Sequence, residues 1–188
     1  MTESARPPAH AGDDNPINDF SNCHVGIVSH LAQLSRLPAL LEPAAEARHV
    51  AAETVRFFRE VVYEHHVEEE RDLFPAVLAS STAGQERDTV KAIVDQLVRE
   101  HREVEAEFEA LEPVLQAISK GRDAPLDGGS VQSLVARYRA HAGFEEKHFL
   151  PLSRTILGRN GDHLAALGLS LHLRHVTPDV LKRFAGRI

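Results

Sequence analysis

Two stretches of this chain place a histidine and a carboxylate on one helical face at the same spacing. His65–Pro75 reads HHVEEERDLFP and His141–Pro151 reads HAGFEEKHFLP. Aligned without gaps, they share the first His, the Glu-Glu pair, two large apolar residues near the end, and the closing Pro. His65 and Glu69 are four residues apart, as are His141 and Glu145, so each pair projects from one side of a helix. An additional histidine precedes each stretch, His24 before the first and His101 before the second. The chain therefore reads as two helical hairpins, each carrying one His and then one His-x-x-x-Glu.

These six groups fall on apolar stripes. Phe58, Val62, His65, Glu69 and Leu73 follow helical spacing, as do Leu134, Tyr138, His141 and Glu145. His101 lies between Leu97 and Val104, and His24 between Phe20 and Ile27. Burying a neutral polar group without a partner costs about 2–7 kcal/mol, and a charge costs more. Metal cations would satisfy all six at once. Four imidazoles and two carboxylates suit Fe, Zn or Mn and do not suit Mg or Ca. Carboxylates can bridge, which favours a dinuclear centre over two separate ions. His30 could replace His24 on the first helix; the offset from His101 favours His24. His66 is turned about 100° from His65 on an ideal helix and reads as an outer or solvated residue. His148, seven residues past His141, reads as an outer partner facing the interior. Glu68, Glu70 and Glu146 read as a solvated face or as hydrogen-bond partners of the ligands. Tyr63 and Tyr138 read as core.

The elements that must position these groups are helices. Helical periodicity covers 17–34, 44–79, 86–119 and 130–157, with a shorter segment at about 161–174. Pro38 and Pro43 punctuate the first connection, Pro75 bends the end of the second helix, and Lys120–Gly129 is a loop of Gly, Pro and Asp. Nothing alternates as a strand would. The expected fold is all-α: an antiparallel up-down-up-down four-helix bundle over 17–157, with a short additional C-terminal helix in the extension 158–188. Residues 1–16, rich in Pro, Asp and Asn, are expected to be a disordered tail.

Composition narrows the function. Of 188 residues, 43% are hydrophobic and 26% charged, the balance of a globular protein. The net charge of −7 argues against nucleic acid as a partner, and no apolar run approaches the ~20 residues that span a bilayer. Cys23 is the single cysteine, which rules out an intrachain disulfide, makes iron–sulfur clusters and structural zinc poor fits, and suits a reducing cytoplasm. Its place beside His24 leaves a redox role open.

At these motifs, over about residues 17–157, the chain resembles the hemerythrin-like, or HHE cation-binding, family. The resemblance implies a centre of two iron ions, oxo- or hydroxo-bridged, inside a four-helix bundle. Carried over by position, His24, His65, His101 and His141 would be terminal ligands, with Glu69 and Glu145 bridging. Oxygen-carrying hemerythrins have a fifth His four residues after the third-helix His, and an Asp on the last helix. Here Glu105 and Glu145 stand in those frames. The set is closer to the four-His, two-Glu bacterial proteins that repair iron centres. Each iron would then keep an open position, unless Glu105 fills one. This implies a protein that binds or reacts with oxygen, peroxide or nitric oxide, in sensing, detoxification or iron-centre maintenance. The alternative is a non-catalytic metal-binding or iron-delivery module acting through a protein partner. A ferritin-like oxidase fits poorly: its Glu-x-x-His motifs would be Glu46–His49 and Glu145–His148, and His49 lies roughly 24 Å along the helix from His65.

Overall fold

The computed structural model describes the backbone of residues 16–159 and the side chains from residue 23 onward. The expected tail and the segment at 161–174 lie outside these residues. Among the described residues every regular element is helical: α1 Pro16–Leu34, α2 Leu37–Phe57, α3 Tyr63–Glu68, α4 Phe74–Ser80, α5 Gln85–Ser119, α6 Gly128–Phe144 and α7 Leu150–Leu157. No described helix is long and apolar enough to cross a membrane. The chain forms two compact units, Met1–Ala47 and Arg48–Ile188, with the boundary inside α2.

The first unit corrects one expectation. Pro38 and Pro43 do not interrupt the chain, because α2 begins at Leu37 and contains both. Pro38 occupies the first turn, where its missing N–H has no helical partner to lose. Pro43 sits deeper, inside the helix.

In the second unit the expected helix over 44–79 is not one uniform α-helix. Two π-helical turns interrupt it, Phe58–Val62 and Glu69–Leu73, and a third, Glu145–Phe149, joins α6 to α7. In each the N–H after the turn reaches back five residues: Tyr63 to the Phe58 carbonyl, Phe74 to Glu69 and Leu150 to Glu145. The last two have a local cause. Pro75 and Pro151 follow directly, and a proline ring crowds the carbonyl four residues back while offering no N–H. A wider turn relieves that crowding. Each π turn acts as one inserted residue, shifting the later side chains by about 100°.

Two apolar clusters form the core. Phe74, Val77, Val90, Val94, Leu97, Phe149, Ile156 and Leu157 make one, and Ala51, Val104, Phe108, Leu111, Leu115 and Leu134 the other. Helix α5 runs through both, and its stripe is buried from Val90 to Leu115, as its periodicity predicts. His101 sits on that stripe where one cluster gives way to the next. Local signals fix the ends of α5 and α6. Gly121, at φ +70°, follows α5 in a conformation that favours glycine. The Asp127 carboxylate caps α6 by accepting from the Ser130 N–H at 2.7 Å.

Candidate metal centre

Between the two apolar clusters lies a layer of histidines and carboxylates. His66 and His101 stack with ring centroids 3.9 Å apart, and His141 meets the His101 ring edge-on at 4.8 Å. All three are buried. Each directs Nδ1 to a carboxylate: His66 to Glu105 at 2.9 Å, His101 to Glu70 at 2.9 Å and His141 to Glu100 at 3.2 Å. An ionised carboxylate can only accept, so each Nδ1 carries the proton. In the neutral ring this tautomer leaves the lone pair on Nε2. All three Nε2 atoms are buried and make no hydrogen bond. Three inward-facing acceptors without a donor could hold a cation, and the carboxylate behind each ring is the usual support of a metal-binding histidine.

A second group adjoins the first. His65, Glu69 and Glu145 bring donor atoms within 4.8 Å of one another, as do His66, His101 and His141. Glu69 Oε2 lies 3.2 Å from His101 Nε2, yet neither atom is hydrogen-bonded. With His101 as the neutral tautomer that donates from Nδ1 to Glu70, two lone pairs would face each other here. A cation or an added proton between them resolves the contact. Glu69 and Glu145 also hydrogen-bond to each other. Burial pushes the Glu69 carboxyl up to about 7, and burial with the neighbouring Glu69 carboxyl pushes Glu145 up to about 8. Without metal the pair therefore keeps a proton that a cation would displace. Burial and the adjacent His101 hold His66 down to about 4, so its ring is neutral and able to ligate. A cavity of about 390 Å³ opens beside this second group, with Tyr138 and Leu73 on its wall.

Of the six residues read from sequence, the structure gathers His65, Glu69, His101, His141 and Glu145. His24 lies on α1 in the other unit and is exposed. His66 is the residue that sequence reasoning missed. The turn Phe58–Val62 inserts a residue ahead of it, and the 100° correction rotates His66 onto the face that an ideal helix gives to His65. His65 is left half-buried, with Nε2 3.4 Å from Glu69. Phe74, which follows the second π turn, is buried, and Leu73 is half-buried. His148 is exposed, its ring tilted against Phe144 at 4.9 Å, so it does not face the interior. Glu105 is occupied by His66 and Arg102. Burial raises its carboxyl, but hydrogen bonds from those two residues prevail and hold it below the usual range.

Among the described residues the regular elements are all helical, and a buried layer of imidazoles and carboxylates surrounds acceptors that could take a metal. The hemerythrin HHE cation-binding domain family model matches residues 15–153, and the chain belongs to that family. No curated protein and no solved structure matches it significantly.

Proposed function

We propose that this protein is a non-haem diiron protein that binds or reacts with a small oxidant or diatomic molecule: oxygen, peroxide or nitric oxide. The observation that carries the reading is the set of three buried, unpaired Nε2 atoms, each backed by a carboxylate at Nδ1. Structural histidines would use both ring nitrogens. Here one nitrogen of each is held ready at a shared point.

In this reading His66, His101 and His141 hold one iron, and His65, Glu69 and Glu145 the other. Glu69, 3.2 Å from His101, would adjoin both ions. Iron held there supplies a one-electron couple and a Lewis acid for a small ligand. The chain's own part is to fix and shield. Glu70, Glu100 and Glu105 hold the ring tautomers, Glu69 and Glu145 release their proton on loading, and Phe74 and Phe149 exclude water from one side. The cavity beside Glu145 gives a small molecule room to approach. The offset between His24 and His101 in the repeat supports His24 as a further ligand from the first helix of an up-down-up-down bundle. His24→Ala would then lower iron content while His30→Ala would not.

The deciding experiment is an iron count with Mössbauer and optical spectra of purified protein, with and without azide or nitric oxide. Close to two irons per chain and a spectrum altered by azide or nitric oxide are expected. One metal per chain, or zinc alone after iron-replete growth, would refute the dinuclear reading. Two irons that accept no added ligand would favour the delivery module.

A further inference from the structure

We propose that Arg102 is a positioning residue for the metal centre, a surface guanidinium that holds Glu70 and Glu105 in place so that both keep hold of buried histidines. This rests on the metal-binding reading above. Arg102 follows His101 on α5, and its side chain is 57% exposed. Its Nη1 donates to Glu105 Oε2 at 2.8 Å and its Nη2 to Glu70 Oε2. The other oxygen of each carboxylate accepts from a ring: Glu105 Oε1 from His66 and Glu70 Oε1 from His101, both at 2.9 Å. The result is a closed circuit. His66, Glu105, Arg102, Glu70 and His101 follow in hydrogen-bonded order, and the two stacked rings close it at 3.9 Å.

The circuit joins separate elements. Glu70 belongs to the π turn Glu69–Leu73, and Glu105 to α5. Two carboxylates drawn to stacked rings are like charges at close range, and each gains by turning to water unless a cation lies between them. A planar guanidinium serves two carboxylates in fixed directions, which a lysine ammonium does not reproduce. The third histidine has no such device. The free oxygen of Glu100, behind His141, accepts from the neutral Gln96 amide on the same helix at 2.7 Å. Arg102 therefore acts on the stacked pair alone.

The molecule also contains a matched control. Arg137 likewise bridges two α5 carboxylates, Glu103 and Glu107. Neither of these touches one of the three buried rings.

Affinity for Fe(II) is measured on the full chain under anaerobic conditions by competition with a chelator, and the Co(II)-loaded absorption spectrum is recorded alongside. Arg102→Gln is expected to weaken Fe(II) binding about tenfold, the lower end of the 10–100-fold loss typical of outer partners. It should also shift the Co(II) bands, with Arg102→Lys recovering only part of both. Arg137→Gln should leave affinity and spectrum unchanged. Wild-type behaviour of Arg102→Gln, or an equal loss in Arg137→Gln, would overturn the proposal. Should Arg102→Gln fail to fold, the comparison of Arg102→Lys with Arg137→Gln decides it in the same way. A wild-type chain that takes up neither Fe(II) nor Co(II) fails at the metal reading itself, which is a different result from a wild-type-like Arg102→Gln.

Discussion

The two copies of the His-x-x-x-Glu-Glu motif share residues, a π turn and a closing proline, yet they deliver different histidines. In the second copy α6 runs without interruption from Gly128 to Phe144, and His141, the first residue of the motif, is buried. In the first copy a further π turn at Phe58–Val62 precedes the motif. It is the second residue, His66, that is buried, while the first stays 39% exposed. The counterpart of His66 in the second copy is Ala142, which could not ligate. The first copy thus offers two histidines where the second offers one. A repeat in sequence specifies a shared chemistry, but its angular phase depends on what lies upstream.

The largest expected effect separates His66 from His65. His66→Ala should weaken metal binding by more than the roughly 10–100-fold that loss of an outer partner costs, with His65→Ala the milder of the two. Chelator competition on both variants gives the order. If His65→Ala were the more damaging, the two copies would be equivalent after all.

The next effect is on pH and belongs to both copies, since Glu69 and Glu145 share it. In the metal-free chain their folded values, about 7 and about 8, lie above the ordinary 4.5. Their contribution is complete below pH 4.5 and is lost as pH rises through 7 and 8. His66, held at about 4 against an ordinary 6.5, acts in the opposite direction, its contribution being lost as pH falls from 6.5 to 4. Above pH 6.5 only the carboxyl loss remains. Thermal melts of metal-free protein should therefore show falling stability from pH 6.5 to about 8.5. Loading with metal should remove that fall, because cations take the place of the proton. A flat metal-free profile would show that the carboxyls are ionised.

A smaller effect tests how the second copy begins. Asp127→Ala removes the cap of α6 and should cost about 1 kcal/mol of stability with metal affinity unchanged. Denaturant melts and the chelator assay together check this. The smallest effect is the sharpest test of the first copy. If Phe58–Val62 holds one inserted residue, deleting the exposed Glu60 closes the π turn to an α turn and leaves His66 where it was. Metal affinity should then stay close to wild type. Were the helix regular there, the deletion would rotate His66 away by about 100° and abolish binding.

Much of this molecule was legible in its residues. The stripe from Val90 to Leu115 predicts α5 and its buried face, and His101 falls on it. The spacing of His141 and Glu145, and of Glu69 behind its own histidines, marks the carboxylates and ring that the structure gathers. Pro75 and Pro151 even mark two of the π turns, because a proline's ring and missing N–H disturb the turn before it. The turn at Phe58–Val62 has no such mark. No proline follows it, and the ring of Phe58 instead stacks on Phe108 of α5 at 4.0 Å.

Sequence by itself therefore determined that His65, Glu69, His101, His141 and Glu145 lie on helices at ligand-like spacing, since periodicity is a local property. Tertiary structure decided that His66 rather than His65 joins His101 and His141. It also decided that Glu105, Glu70 and Glu100 stand behind those rings. Each of these pairs joins different elements, 31 to 41 residues apart. Their meeting depends on how one helix is rotated against another, and packing across the core fixes that rotation.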